Sequence, residues 1–217
     1  MMKLTIGITL TLFLALSSAS VRPADKAQWQ FDVYLNENRI GFHRFEVIRQ
    51  KNRQLVYSKA KFDVNFLFFN AYSYEHDNFE IWENNCLSRI ESYTNDNGEK
   101  IRVKGSKQDD YFNVASLQNS DNFSGCIKTF AYWDASFLKA NRLLNPQTGE
   151  YVRVKIQQLN DSQLVVGGKK LPARLFELTG ENLKIRLWYS MNNEWLGLES
   201  DVDNDNTLRY LLPARTI

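Results

Sequence analysis

Apolar and polar residues alternate with a period of two along most of the chain, and this pattern constrains the fold more than any other feature. Residues 29–35, 62–68 and 183–189 are clear examples, and Phe79 and Ile81 extend the pattern. Successive side chains of a β-strand point to opposite faces. Each of these segments is therefore predicted to be a strand that buries its apolar face.

Turn signals separate the predicted strands at short intervals. They lie at residues 36–38, 96–98, 167–168, 192–193 and 203–206. The chain has 21 Asn but only 10 Gly, and Asn suits turns because it tolerates left-handed backbone and can bond its own turn. Closely spaced turns between short strands predict an antiparallel meander.

One segment interrupts the strands. Asp134 is a candidate N-cap for a short helix at residues 135–142, with about seven strands expected before it and about five or six after it. The predicted fold class is mainly β: an antiparallel meander that forms a strongly curved sheet or open half-barrel, with the short helix against the concave side. Because no long linker is present, residues 21–217 are expected to form a single domain.

The N-terminus has the layout of a secretory signal peptide. Lys3 precedes an apolar run at residues 4–16, and small residues follow it, so residues 1–20 are expected to be removed by cleavage after Ala19 or Ser20. The alternative is an uncleaved membrane anchor, but the run is shorter than the ~20 residues that span a bilayer. The expected product is a periplasmic domain without a transmembrane segment.

Two cysteines, Cys86 and Cys126, are present. In an oxidising compartment an isolated pair is most simply a disulfide. Two free buried thiols or a redox pair are the alternatives, although the redox pair lacks the usual C-x-x-C spacing.

The charge balance and the ligand inventory exclude several classes of function. The 27 Lys and Arg nearly equal the 25 Asp and Glu, which argues against a dedicated nucleic-acid binder. With two His and two Cys, neither a metal site nor a cofactor is expected. Asp201, Asp203 and Asp205 resemble a calcium loop, but the sequence lacks its glycine and its bidentate glutamate, so a solvated turn is predicted.

The two histidines belong to no recognisable catalytic motif. His43 and His76 could each act as a base, and Glu75 is next to His76, but neighbours in a strand point to opposite faces. The chain also lacks a G-x-S-x-G motif. Both histidines are therefore interpreted as structural or surface residues, and no catalytic residue is assigned.

Aromatic residues are concentrated at residues 66–74 and 130–137. Two interpretations stay open: the rings fill the core of the curved sheet, or some of them line an apolar cleft between sheet and helix. The candidate ligand-binding residues are Phe66, Phe68, Phe69, Tyr72, Tyr74, Phe130, Tyr132, Trp133 and Phe137.

Several blocks of sequence resemble a family of exported β-rich proteins of Gram-negative bacteria that carries a domain of unknown function. The blocks are residues 31–35, 40–43, 71–76, 80–82, 86–87, 125–126, 130–134, 143–149, 187–189 and 195–199. The resemblance implies a periplasmic protein with one domain, and it supplies no catalytic residue. The fold is also distantly similar to the half-barrels of periplasmic lipoprotein carriers.

Three hypotheses for function follow. The first is non-catalytic binding or carriage of an apolar ligand, lipid-like or aromatic, in a half-barrel cleft. The second is an envelope module that binds a protein partner through its aromatic residues and has a solid core. The third is a hydrolase without a sequence signature, which would need His, Asp or Glu side chains to converge in the cleft.

Overall fold

The computed structural model describes residues 25–66, 69–116, 120–202 and 206–213, without the side chains of residues 65, 66, 69 and 70. The predicted signal peptide lies outside the described residues, as do Asp203 and Asp205. In this part of the chain no helix is long and apolar enough to cross a membrane.

The first eight strands form an antiparallel meander in which each strand pairs with the next. Their bounds are Asp25–Leu35 (β1), Asn38–Gln50 (β2), Arg53–Phe66 (β3), Phe69–Glu83 (β4), Cys86–Asp96 (β5), Glu99–Lys107 (β6), Tyr111–Ala115 (β7) and Ser120–Ser124 (β8). Between β5 and β6, Asn97 and Gly98 both have positive φ, at 48° and 97°, as a two-residue type I′ hairpin turn requires.

Residues 125–154 then cross the concave side of the sheet, and we call them the cover segment. They contain a 3-10 helix at Ala135–Lys139 and a short hairpin formed by β9 (Arg142–Leu144) and β10 (Tyr151–Arg153). The Asp134 side chain accepts a hydrogen bond from the Ser136 amide, as predicted for the N-cap. The helix is shorter than predicted because Ala140 is already extended.

The remaining strands complete the sheet. Their bounds are Lys155–Gln158 (β11), Ser162–Val166 (β12), Lys169–Gly180 (β13), Leu183–Tyr189 (β14), Trp195–Val202 (β15) and Asn206–Leu211 (β16). The strand order is β11-β13-β14-β15-β16-β1-β2-β3-β4-β5-β6-β7-β8, and β12 also pairs with β13. The last strand, β16, therefore lies beside the first, β1.

The sheet is curved and open, which confirms the predicted fold class. In the described residues its outermost strands, β8 at one end and β11 and β12 at the other, do not pair with each other. Eight described strands precede the 3-10 helix and eight follow it, more than predicted. The additional strands include β7 to β10, which have only 3 to 5 residues and are too short to show a clear alternation.

The cover segment is attached to both halves of the sheet. Trp133 packs edge-on against Trp82 of β4, with ring centroids 5.6 Å apart. On the other side, the Tyr189 hydroxyl of β14 donates a hydrogen bond to the Tyr132 carbonyl at 2.7 Å. Phe137 of the 3-10 helix is fully buried. The short helix thus packs into the core on the concave side, as predicted.

The predicted disulfide is present. Cys86, the first residue of β5, is bonded to Cys126, and the bond closes a loop with a sequence separation of 40. Next to it, the Leu87 amide donates a hydrogen bond to the Ile127 carbonyl at 3.0 Å. The start of the cover segment is therefore fixed to the sheet both covalently and by a backbone hydrogen bond.

Candidate ligand-binding site

A cavity of about 1070 Å³ lies between the concave face of the sheet and the cover segment. Its walls come from the inner faces of β2, β3 and β4 on one side and of β14, β15 and β16 on the other. Residues 129–133, 145–147 and 150–153 of the cover segment also line it. Because these strands are neighbours in the sheet order, the cavity extends across the centre of the curved sheet.

A row of polar side chains lies on one wall of this cavity. His76, Asn78 and Glu80 occupy alternate positions of β4, so all three point to the concave side. Ser58 of β3 is the register partner of Asn78 on β4. His43 of β2 and His76 of β4 lie on either side of the same β3 residue, Ala60, which is the register partner of both. The register of three strands thus gathers residues that are far apart in the sequence.

Glu80 is a buried carboxylate, with 2% of its surface exposed. Its two oxygens accept hydrogen bonds from Asn78 Nδ2 at 3.0 Å and from Trp82 Nε1 at 2.7 Å. Burial raises the pKa of Glu80, and these hydrogen bonds oppose that effect. No cationic side chain of the described residues forms an ion pair with this carboxylate, so hydrogen bonds alone stabilise its ionised form.

His76 is held as a neutral imidazole with a defined tautomer. Its Nδ1 lies 2.9 Å from the Thr94 hydroxyl, which itself donates to the Gln147 carbonyl at 3.4 Å. Since the hydroxyl has one proton, Thr94 accepts from Nδ1–H, and Nε2 of His76 is left as an acceptor. Burial lowers the pKa of His76 to about 4, although the nearby Asp77 opposes this shift.

His43 makes polar contacts through both of its ring nitrogens. Its Nε2 lies 2.7 Å from Ser58 Oγ, and its Nδ1 lies 3.4 Å from the Tyr210 hydroxyl. The ring also stacks on Phe45 with centroids 4.1 Å apart. Burial, and then the charge that His76 would carry, lower the pKa of His43 well below its usual value. At neutral pH both imidazoles are therefore uncharged.

The cover segment gives the cavity an aromatic wall. Phe130, Tyr132 and Trp133 all line it. The Tyr132 ring packs against Phe137 and Trp195, with centroid distances of 5.7 and 5.3 Å. These contacts hold the Tyr132 ring in place, and the three rings form an apolar wall opposite the polar row.

The predicted aromatic residues thus divide between cavity and core. Phe130, Tyr132 and Trp133 line the cavity, whereas Phe137 is in the core. Tyr74 is also in the core, where it stacks on Phe62 with centroids 5.1 Å apart, and the half-buried Tyr72 packs against the core from outside. The side chains of Phe66 and Phe69, and the whole of Phe68, lie outside the described residues.

Sequence reasoning missed the polar row. Neither Ser58, Asn78 nor Glu80 was a candidate, and His43 and His76 were interpreted as structural or surface residues. In the structure, residues 74 to 82 of β4 face inward at even positions, whereas the apolar Phe79 suggests that the odd positions face inward. Glu75 points outward and pairs with Lys61 at 2.9 Å, so it does not pair with His76, as expected.

The chemistry of this wall is mainly that of hydrogen-bond acceptance. Within the described ranges, no three His, Cys, Asp or Glu side chains are placed to share a metal ion. His76 Nε2 and the Glu80 carboxylate are acceptors. Asn78 Oδ1 is a third, and it is buried without a hydrogen-bond partner. The site can therefore hold a molecule that has an apolar body and a polar end.

Fold and cavity together define the class of protein: an open, strongly curved antiparallel sheet that encloses a cavity under a cover segment. Within this class the chain belongs to the family described as "Domain of unknown function (DUF6134)", whose model matches residues 31–212. The resemblance to a β-rich family of unknown function is thereby confirmed.

A solved structure has a similar fold. It is the crystal structure of a beta-barrel-like protein of domain of unknown function DUF1849 from Brucella abortus, which is 12% identical in sequence. The match covers 89% of this chain and 97% of that one, with a TM-score of 0.63. At this identity the likeness concerns the fold alone. Comparison with curated proteins finds no match.

Proposed function

We propose that the protein binds an amphipathic, lipid-like small molecule in the concave cavity and acts as a non-catalytic carrier in the periplasm. The observation that carries this proposal is the cavity itself. At about 1070 Å³ it is slightly larger than the ~300–1,000 Å³ that ligand sites usually occupy. An aromatic wall facing a few convergent polar groups is also the composition typical of such sites.

The periplasmic location in this proposal is supported by two features. The sequence begins with a predicted signal peptide, and Cys86 and Cys126 form a disulfide, which persists in oxidising compartments. Immunoblotting of periplasmic and cytoplasmic fractions tests this part directly, and retention of the protein in the cytoplasm would overturn it.

Native mass spectrometry of gently purified protein tests for a bound molecule. We expect an adduct mass that is lost after extraction with organic solvent, together with binding of a hydrophobic dye to the extracted protein. A clean apo mass combined with no dye or lipid binding would refute the proposal.

A cavity-filling substitution gives a second test. Ser200 of β15 lines the cavity, so Ser200→Trp is expected to reduce dye binding by filling space. Ser124→Trp on the exposed strand β8 is the matched control, since it adds the same ring outside the cavity. Equal dye binding by both variants would contradict the assignment of this cavity.

The envelope interaction module is less well supported. That hypothesis requires a solid core, and a cavity across the centre of the sheet argues against it. Pull-down of a partner that binds the Ser200→Trp variant as well as the native protein would restore it.

A hydrolase is the second candidate, and one contact favours it. The 2.7 Å distance between Ser58 Oγ and His43 Nε2 is that of a nucleophile and its general base. However, the partner of His43 Nδ1 among the described residues is the Tyr210 hydroxyl at 3.4 Å, whereas such a base is usually oriented by a carboxylate. Labelling by a fluorophosphonate that disappears in Ser58→Ala would establish this candidate, and absence of labelling would remove it.

A further inference from the structure

Two acceptor groups in the polar row lack the partners that their burial calls for. Asn78 donates to Glu80 through Nδ2, while its Oδ1 is buried without a hydrogen-bond partner. Glu80 is 2% exposed and has hydrogen bonds but no cation among the described residues. Both groups accept hydrogen bonds and carry negative charge or partial charge. The Thr129 hydroxyl, which lines the same cavity, is also buried without a hydrogen-bond partner, and it can accept from a bound donor.

Such deficits indicate what is missing from the site. A buried acceptor without a donor costs about 1–3 kcal/mol, and a buried charge without a counter-ion costs more. A bound group that donates hydrogen bonds and carries positive charge would remove both costs. A carboxylate or phosphate would instead be repelled by Glu80 and would find no charged imidazole, because burial keeps His43 and His76 neutral.

Most of the other charged side chains around the cavity are also acidic. Its lining contains three carboxyl side chains, Glu80, Glu150 and Glu181, but one guanidinium, that of Arg153. Trp133 and Phe130 supply aromatic faces to the same cavity, and aromatic faces attract cations through their quadrupole. Charge and rings thus favour a cationic ligand.

We propose, as a refinement that rests on the binding function above, that the polar end of the ligand is a protonated amine held between Glu80 and Asn78. The ammonium donates to the Glu80 carboxylate and to Asn78 Oδ1. His76 Nε2, two residues along β4, accepts from a further N–H or O–H group of the same ligand. The apolar body lies against the aromatic wall of the cover segment. The proposed ligand class is therefore a lipid-like amine.

Three probes with the same alkyl chain test this proposal on the full mature protein. Dodecylamine, dodecanol and dodecanoate are titrated below their critical micelle concentrations at neutral pH, with binding followed by tryptophan fluorescence and calorimetry. We expect dodecylamine to bind at least about tenfold more tightly than dodecanol, and dodecanoate to bind most weakly, since only the amine forms the charge-assisted contact.

Glu80→Gln removes the charge while it keeps an acceptor for the Trp82 indole. This variant is expected to lose about tenfold in affinity for dodecylamine and to leave dodecanol binding unchanged. Glu91→Gln, which removes a carboxylate from the far side of β5 where it pairs with Arg89, is the matched control and is expected to bind all three probes normally. If Glu80→Gln does not fold, the three-probe comparison on the native protein still decides the question.

The outcomes separate this proposal from the binding function. If none of the three probes binds, the cavity does not take alkyl ligands and the binding function itself fails. If the probes bind but dodecanol or dodecanoate equals dodecylamine, the cavity binds apolar chains and the amine proposal is overturned. Unchanged dodecylamine affinity in a folded Glu80→Gln variant would overturn it as well.

Discussion

Lowering the pH below 6.5 is expected to destabilise the folded protein through His76. The pKa of His76 is 6.5 in an unfolded chain and about 4 in the folded one, because its burial disfavours the charged form. As the pH falls below 6.5, the unfolded state takes up a proton that the folded state does not. Each pH unit in this interval therefore lowers the free energy of unfolding by about 1.4 kcal/mol.

The full effect of His76 between pH 6.5 and 4 is a loss of about 3 kcal/mol. The stabilisation is complete above the unfolded pKa and disappears as the pH falls through the folded value. His43 acts in the same direction, since its pKa is also lowered. Glu80 acts in the opposite direction, because a raised pKa lets the folded state bind a proton first. The contribution of His76 is therefore measured as a difference from a variant that lacks this imidazole.

Urea unfolding followed by tryptophan fluorescence at a series of pH values measures this dependence. The native protein is compared with His76→Asn, which can still donate to Thr94 but does not titrate. The difference between the two curves should grow by about 3 kcal/mol from neutral pH down to the folded pKa. Parallel curves, or an NMR titration that gives His76 a pKa near 6.5, would refute the reasoning.

Three further predictions concern the sheet and its cover. Replacing both Cys86 and Cys126 by Ala should lower the free energy of unfolding by about 4 kcal/mol, from the entropy of a loop with a separation of 40. Trp195→Ala should cost about 3–5 kcal/mol in thermal unfolding, because this side chain is 1% exposed and packs 4.1 Å from the ring of Phe31. Gly41→Ala should cost about 3 kcal/mol, since its Cβ would lie 1.9 Å from a backbone oxygen of β3.

Each of these three has its own check. Reduction of the native disulfide under denaturant should reproduce the loss seen for the double Ala variant. Val165→Ala, at a side chain that is 53% exposed, is the control for Trp195→Ala and should change stability by less than about 0.5 kcal/mol. A Gly41→Ala protein as stable as the native one would mean that β2 and β3 are farther apart at this position than described.

The strand pattern and the turns could be predicted from the sequence because both are local. Alternation, Asn-rich turns and a capped helix specify a curved antiparallel sheet without reference to distant residues. The inner face of β4 could not be predicted in this way. Its even positions are polar at 76, 78 and 80, so the apolar Phe79 suggests that the odd positions are buried. In the structure, however, Phe79 packs on the outer face against Tyr57.

The cover segment determines whether the even or the odd positions of β4 face the inside of the sheet. Trp133 packs on Trp82, and the carbonyls of Pro146 and Gln147 accept hydrogen bonds from Ser92 and Thr94. These contacts offset the cost of burying polar side chains, which the alternation pattern alone would place in solvent. They join residues about 50 positions apart, with separations of 54 and 53, and no local pattern encodes such contacts.

The pairing of the first strand with the last has a consequence for how the molecule is assembled. β1 lies in the middle of the sheet, with β2 on one side and β16 on the other, and register pairs such as Asp32 with Leu211 join the two ends of the described chain. A chain made from its N-terminus therefore keeps one edge of β1 unpaired until β16 has been made. Closing so long a loop is slow, and an unpaired edge invites pairing with other chains. The pairing of β1 with β16 is thus the last to form, and it lies near the middle of the sheet. Loss of β16 would therefore divide the sheet into two parts instead of removing a strand from its edge.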